Sequence, residues 1–175
     1  MWYNTIERRY FMEKRDLYDV NRNLTGETIF KGETIPANRY IIVVQAIIQN
    51  SKGEFLIQKR SSQKGGKYGS PSGHAKSGEN SIQAVISEIH EEIGLNVDKN
   101  DLELIHSDIA TFKQVFFDVY YLKKDIDITK LVLQEEEVHL VEWTSLDRIK
   151  QLFNDGLFLE HHAKEIFRMI YSFKK

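Results

Sequence analysis

Short runs of apolar and β-branched residues, broken by glycine, asparagine and proline, dominate the first half of the chain. Residues 16–35 hold two β-prone runs separated by polar residues, a pattern that predicts a hairpin or strand pair. Residues 39–61 hold two longer runs on either side of Asn50 to Gly53, which predicts a second hairpin. The first of these longer runs is apolar on both faces, so we expect it to be a central strand of a sheet.

The rest of the chain combines further strand-like runs with three segments in which apolar residues recur at helical spacing. Residues 61–78, rich in glycine, serine and lysine, predict a loop with at most a short strand. Strands interspersed with helices favour an α/β fold, and specifically an α/β/α sandwich with a mixed β-sheet. The predicted elements are helices over residues 79–93, 145–153 and 157–173, two strands within residues 101–124 and one within residues 139–145.

Composition narrows the class of protein. The chain has 175 residues, of which 41% are hydrophobic and 29% charged, a balance that suits one folded domain with a small appendage. A formal net charge of −2 recommends neither a nucleic acid nor a membrane surface as partner. The sequence has no cysteine, which excludes disulfides, thiolate metal sites and cysteine nucleophiles. No apolar run approaches the roughly 18 residues of a membrane span, and we expect a cytoplasmic protein.

The first predicted helix carries an unusual set of carboxylates. Glu88, Glu91 and Glu92 fall within one arc of the helical wheel, beside the apolar stripe. Like charges at this spacing repel, and glutamates near a helix C-terminus also oppose the helix dipole. A divalent cation with oxygen ligands would remove both penalties, whereas a solvated acidic edge would need no ligand. The helical spacing alone leaves both interpretations open.

The same helix belongs to a wider pattern of spaced residues. Gly73 is followed after five residues by Glu79, and after seven more residues by the sequence SEIHEEIGL. This arrangement resembles the Nudix box, whose last positions read Arg-Glu-apolar-any-Glu-Glu-any-Gly-apolar. Eight of its nine specified positions match over the 23 residues from Gly73 to Leu95. The one departure is Ser87, where the family has arginine.

The resemblance implies a Nudix domain over residues 38–175, because GEFLIQKRS and EEVHLVEWTSLDRI look like its flanking elements. Residues 1–37 then form an amino-terminal strand or hairpin extension. Family members hydrolyse a nucleoside diphosphate linked to another group, with Mg²⁺ or Mn²⁺. The implied metal ligands are Glu88, Glu91, Glu92, a backbone carbonyl near Gly73 and, from a later loop, Glu136 or Glu137.

These ligands carry the implied chemistry. The three box glutamates are also the implied catalytic residues, and Glu79 supports them at the corner between the loop and the helix. For Glu136 and Glu137 in the later loop, a solvated acidic turn is the alternative interpretation.

At the position of Ser87, the family has an arginine that braces a catalytic glutamate, and serine is too short and uncharged to replace it. Loss of such a partner commonly lowers affinity or activity about 10- to 100-fold. Lys76 or Lys67 is a candidate substitute.

Basic and aromatic residues before the box are candidates for substrate contacts. Lys59 and Arg60 end a predicted strand, and Arg60 suits bidentate contact with a phosphate. Lys64, Lys67 and Tyr68 belong to the loop that follows. Ordinary solvated surface charge explains the same residues about equally well.

Aromatic side chains occur on both faces of the strand QVFFDVYYL, with Phe116 and Tyr120 on one face and Phe117 and Tyr121 on the other. One face must pack in the core, and core packing is also favoured for the other face, which could instead stack a base. His74 could face the pocket, whereas His161 and His162 are expected on a helix surface.

The leading functional prediction is a Mg²⁺-dependent Nudix hydrolase that cleaves a phosphoanhydride bond in a small-molecule substrate, namely a nucleotide. An isopentenyl-diphosphate isomerase-like enzyme is an alternative, because LYDVNRNLTGETIFKGETIP resembles the lead-in of that branch. The familiar form of that reaction uses a cysteine, which this chain lacks. A non-catalytic nucleotide-binding module is a further alternative. The resemblance also makes a homodimer an expectation, since many relatives pair.

Overall fold

The computed structural model describes residues 13–172, so the segment 1–12 and the predicted helix end at Phe173 lie outside the described residues. The described part holds nine strands and three α-helices. The strands are β1 (Lys14–Tyr18), β2 (Leu24–Phe30), β3 (Ile41–Gln49), β4 (Phe55–Arg60), β5 (Tyr68–Gly69), β6 (Ser72–His74), β7 (Leu102–Ala110), β8 (Val115–Lys123) and β9 (Val138–Thr144). The helices are α1 (Ser81–Ile93), α2 (Leu146–Asn154) and α3 (Glu160–Ser172).

Seven of these strands form one mixed sheet with β3 at its centre, as the apolar run predicted. The order is β5-β4-β3-β8-β7, with β6 also paired to β3 and β9 also paired to β4. β3 and β8 run parallel, and the other described pairs of this sheet are antiparallel. Gly73 of β6 lies opposite Val44, so the first residue of the box sits against the middle of the sheet.

Helices cover both faces of the sheet, because alternate residues of the central strands are apolar on both sides. On one face, α1 packs Val85 and Ile89 against the sheet. On the other face, α2 and α3 contribute Ile149, Leu152 and Ile166 to a second core. The predicted α/β/α sandwich with a mixed sheet is therefore confirmed.

The aromatic residues of β8 divide between these two cores. Phe116 and Tyr120 are buried beneath α1, which satisfies the expectation that one aromatic face packs in the core. Phe117 and Tyr121 are only partly buried on the opposite face. Both pack against the second core, as predicted for this face, and Phe117 also lines a cavity.

Helix α1 begins and ends at residues whose side chains or backbone define its length. The Asn80 side chain accepts a hydrogen bond from the backbone amide of Gln83 at 3.0 Å, and the Gln83 side chain accepts one from the Asn80 amide at 2.9 Å. This capping box starts the helix at Ser81 rather than at residue 79. Gly94 ends it with φ of 67°, a left-handed conformation that glycine adopts without strain.

The predicted hairpin within residues 16–35 is formed by β1 and β2, an antiparallel pair. Its Tyr18 exchanges backbone hydrogen bonds with Tyr40, just before β3. Arg22, in the turn of the hairpin, donates to both carboxylate oxygens of Asp118 on β8. The hairpin is thus held against the main sheet at two points. Within residues 13–172, no helix is long and apolar enough to span a membrane.

Candidate active site

A cavity of about 320 Å³ lies where β6, the acidic face of α1, the loop before β9 and the amino-terminal hairpin meet. Glu88, Glu91, Glu92, Gly73 and Glu137 all line this acidic cavity. The structure therefore brings the complete predicted set of metal ligands to one place.

Glu92 is the buried member of the set, with 8% of its surface exposed. Its Oε2 accepts hydrogen bonds from Gln58 Nε2 at 2.9 Å and from the backbone amide of Ser72 at 3.0 Å. Burial raises the pKa of Glu92 to about 8, and the two hydrogen bonds oppose that rise only in part. A buried carboxylate of this kind is one that a nearby cation would stabilise.

Glu88 rests directly against Gly73. A β-carbon at Gly73 would overlap the Glu88 carboxylate, so the box begins with glycine because of this close approach. Burial, followed by the charge of Glu91, raises the pKa of Glu88 to about 7. The backbone amide of His74 acts in the opposite direction by stabilising the ionised carboxylate.

The remaining two carboxylates of the set are paired with lysines. Glu91 is exposed and forms an ion pair with Lys76. Glu137 forms an ion pair with Lys64, with 2.6 Å between Oε1 and Nζ. Glu136, the alternative to Glu137 in the later loop, is exposed outside the cavity.

Ser87 connects α1 to the loop that precedes it. Its hydroxyl donates to Glu79 Oε1 at 2.7 Å, and Glu79 Oε2 accepts the backbone amide of Lys76 at 2.9 Å. Of the two lysines considered as substitutes for the box arginine, Lys76 brings a positive charge to Glu91. Lys67 is exposed and lies outside the acidic cavity.

The candidate substrate contacts separate into two groups. Arg60 lines the acidic cavity, whereas Lys59, Lys67 and Tyr68 lie outside its wall. Lys59 Nζ lies 5.7 Å from the centre of the Tyr68 ring. Tyr68 itself packs against the core beneath α2 and α3. Lys64, the remaining candidate in the loop after Arg60, lines the acidic cavity together with Arg60.

Two cations of the acidic cavity were not among the sequence-predicted residues. Arg15 and Lys31 reach it from the amino-terminal hairpin. The Glu13 carboxylate lies 3.4 Å from Arg15 Nε and 3.1 Å from Lys31 Nζ. Arg15 is only 9% exposed although it is charged. The signal that could have identified Arg15 is the alternation of side chains between the two faces of β1, which places Arg15 on the same face as the apolar Leu17.

His162 corrects the prediction of a surface position. It is 2% exposed, because helical spacing places it on the same side of α3 as Ile166 and Met169. Its Nδ1 accepts a hydrogen bond from the backbone amide of Ser70 at 3.0 Å. Burial lowers the pKa of His162 well below its ordinary value, so the ring is neutral at pH 7. His161, its exposed neighbour, lines the acidic cavity as well.

The donor set suits a hard divalent cation in its chemistry, since carboxylate and carbonyl oxygens are the ligands that Mg²⁺ prefers. Gly73 leaves the space that the Glu88 carboxylate needs. Among the described residues, however, no three His, Cys, Asp or Glu side chains are already placed to hold an ion. Lys76 and Lys64 instead neutralise two of the carboxylates. Both lysine side chains would have to withdraw when a cation binds.

Comparison with known proteins assigns this fold and box to one family. The family model of the NUDIX domain matches residues 39–164. An uncharacterized Nudix hydrolase of Listeria monocytogenes is 34% identical over 154 residues, which cover 86% of this chain and 90% of that protein. The chain therefore belongs to the Nudix family, and the prediction of a Nudix hydrolase is confirmed at the level of the family.

Solved structures show the same fold. The MutT protein of Methanosarcina mazei, 28% identical, has a TM-score of 0.60 over 82% of this chain and 100% of that chain. A protein of Deinococcus radiodurans, 22% identical, has a TM-score of 0.72 over 89% and 98% of the two chains, and at this identity the likeness supports the fold alone. The likeness of residues 17–36 to the isomerase branch stays a prediction.

Proposed function

We propose that this protein is a Mg²⁺- or Mn²⁺-dependent pyrophosphohydrolase that cleaves a nucleoside diphosphate linked to another group. The observation that carries the proposal is the convergence of the predicted ligands in the acidic cavity. Membership of the Nudix family supports the class of reaction. The residues that would hold the metal are Glu88, Glu91, Glu92, Glu137 and the backbone of Gly73, and the three box glutamates are the proposed catalytic residues.

A diphosphate resists hydrolysis because it and the attacking hydroxide are both anionic. A bound magnesium ion supplies the positive charge that offsets the phosphate oxygens. The protein contributes orientation. Glu92 is fixed by the Gln58 side chain and the Ser72 amide, so its carboxylate is positioned before a substrate arrives. Glu88 is positioned by its contact with Gly73.

Cations around the carboxylates would bind the phosphates. Because they line the same cavity, we assign this role to Arg15, Lys31, Arg60 and Lys64. The buried Arg15 guanidinium suits bidentate contact best, since it is planar and already restrained by the hairpin. Lys59, Lys67 and Tyr68 remain candidates for a substrate that extends beyond the cavity.

Replacing Glu92 by glutamine tests the proposal. Glu92→Gln keeps a polar side chain beside Gln58 but removes the charge that would bind the cation, so we expect kcat to fall by about 100-fold or more. The measurement is release of nucleoside monophosphate or phosphate from a panel of nucleotides with saturating magnesium. Glu136→Gln, in the exposed part of the later loop, is the control and should match the wild type.

A wild-type protein that leaves the whole panel intact with magnesium and with manganese would refute nucleotide hydrolysis. No specific contact in residues 13–172 favours the isomerase or the non-catalytic module, and we propose neither. A homodimer and a cytoplasmic location stay predictions.

A further inference from the structure

A second cavity, of about 360 Å³, adjoins the acidic cavity. Val43, His74 and His161 line both cavities. A ligand held at one end in the acidic cavity can therefore continue into the second cavity along a shared wall. Because Phe112, Phe117 and His161 also line it, we name this space the aromatic cavity.

The floor of the aromatic cavity is a row of neighbours on adjacent strands. His74 on β6 and Phe117 on β8 both lie opposite Val43 on β3. Asp108 on β7 lies opposite Phe117. Side chains at directly paired positions point to the same face of a sheet, and these four residues all line the cavity. The floor is thus a rigid surface that begins beside the Nudix box.

Aromatic rings form part of the wall. His161 of α3 meets Phe117 edge to face, with 6.1 Å between the ring centres. Phe112, in the turn between β7 and β8, is 83% exposed, more than any other large hydrophobic side chain in the described part of the chain. A ligand that covers exposed apolar surface removes it from water, which is favourable. A planar ring covers a phenylalanine face most completely, because aromatic rings stack.

We propose that the aromatic cavity binds the base of a nucleotide whose phosphates lie in the acidic cavity, with Phe112 and Phe117 as the stacking residues. This inference rests on the proposed function. The volume fits, since pockets for whole drug-sized ligands measure about 300–1,000 Å³. The carboxylates of Asp108 and Glu165 also line the cavity, and they accept hydrogen bonds from N–H groups. A base carries such donors, whereas an aliphatic chain such as an isopentenyl group carries none.

Calorimetric titration tests the inference without relying on turnover. The four common nucleoside 5′-monophosphates are compared with ribose 5-phosphate, which has the same phosphate and sugar but no base. We expect at least one monophosphate to bind the wild type about tenfold more tightly than ribose 5-phosphate, as base stacking on an aromatic side chain commonly contributes. Phe112→Ala should lower that affinity about tenfold and leave the affinity for ribose 5-phosphate unchanged.

Two further variants guard against an indirect effect. Phe117→Leu keeps an apolar side chain on β8 but removes the ring, so it should weaken base binding in the same way as Phe112→Ala. Tyr171→Ala removes another exposed aromatic side chain, at the end of α3 and outside both cavities, and should bind like the wild type.

The inference is overturned if every monophosphate binds as weakly as ribose 5-phosphate, or if neither phenylalanine variant changes the preference. Its failure is distinct from failure of the proposed function. Base-dependent binding without hydrolysis would reject the enzyme and keep the aromatic cavity. Hydrolysis without base-dependent binding would keep the enzyme and reject the aromatic cavity as the base site.

Discussion

Ser87 stands at the box position where the family has arginine, yet the loop before α1 is still tied to the helix. The Ser87 hydroxyl donates to Glu79, and Glu79 accepts the Lys76 amide. Burial by itself lowers the pKa of Lys76, but its hydrogen bond to Glu91 raises it overall, so the ammonium stays charged. In this structure the Ser87 hydroxyl therefore ties Glu79 to α1, and Lys76 places a positive charge beside Glu91.

Removing the Ser87 hydroxyl tests this substitution. We expect Ser87→Ala to lower kcat about tenfold, because Glu79 loses a 2.7 Å hydrogen bond and the loop that carries Lys76 becomes less restrained. Ser87→Thr keeps a hydroxyl at the same place and should stay close to the wild type. Steady-state hydrolysis over a range of substrate concentrations separates kcat from KM. Equal kcat values for the two variants would show that the hydrogen bond has no role in turnover.

At the scale of elements, the sequence predicts structure best where its signals are local. Helix α1 follows from the spacing of its apolar residues and from Gly94, and the box pattern then places Glu88 and Glu92 on it. The composition of residues 61–78 predicts at most a short strand, whereas they form two, β5 and β6. Ser72–His74 has no β-branched residue and pairs with β3. Local propensity carries no information about that partner.

The part of the candidate site that a single sequence does not predict is the part that contacts between elements create. Arg15 lies far from the box in sequence, and it reaches the acidic cavity because β1 docks on the loop before α1. In that docking, Asp16 accepts the Ser77 hydroxyl at 2.6 Å and the Gly78 amide at 2.8 Å. Hydrogen bonds of this kind depend on the finished fold, whereas the box depends on spacing along one helix.

The hairpin turn is also anchored to β8, and this anchor can be tested. Asp118 is 1% exposed, so removing its partner leaves a buried, uncompensated charge. We expect Arg22→Met to lower the free energy of unfolding by about 3 kcal/mol at pH 7. Arg39→Met, which breaks an exposed ion pair with Glu27, should lower it far less, because solvent screens that pair. Urea unfolding followed by circular dichroism provides both values.

The pH dependence of the loss of unfolding free energy in Arg22→Met shows whether the ion pair with Asp118 causes that loss. Burial raises the pKa of Asp118, but hydrogen bonds from Arg22 and two serines hold it below its ordinary value overall. A lowered native pKa means that the stabilisation is complete above the unfolded pKa of about 3.9 and is lost as pH falls through the native value. The effect of Arg22→Met should shrink over that acidic range. A difference independent of pH would point to packing of the Arg22 side chain instead.

At the scale of the whole molecule, two sheets enclose the acidic cavity. Helix α1 and the loop before β9 supply Glu88, Glu91, Glu92 and Glu137. The hairpin side supplies Glu13 and two cations, Arg15 and Lys31. The family match begins at residue 39, so both cations come from outside the part of the chain that defines the family. We propose that the amino-terminal extension (residues 1–37) takes part in substrate binding through its described part, residues 13–37, which completes the phosphate-binding wall of the Nudix domain.

Neutralising Arg15 tests whether this extension takes part in substrate binding. We expect Arg15→Met to raise KM about tenfold with a smaller change in kcat, because a contact to a phosphate remote from the reacting bond stabilises ground state and transition state alike. Lys14→Met is the matched control, since Lys14 precedes Arg15 in β1, is exposed and points to the opposite face. Thermal unfolding of both variants establishes that the hairpin stays docked. An unchanged KM in a folded Arg15→Met would assign Arg15 a purely structural role, because a phosphate contact cannot be lost without weaker substrate binding.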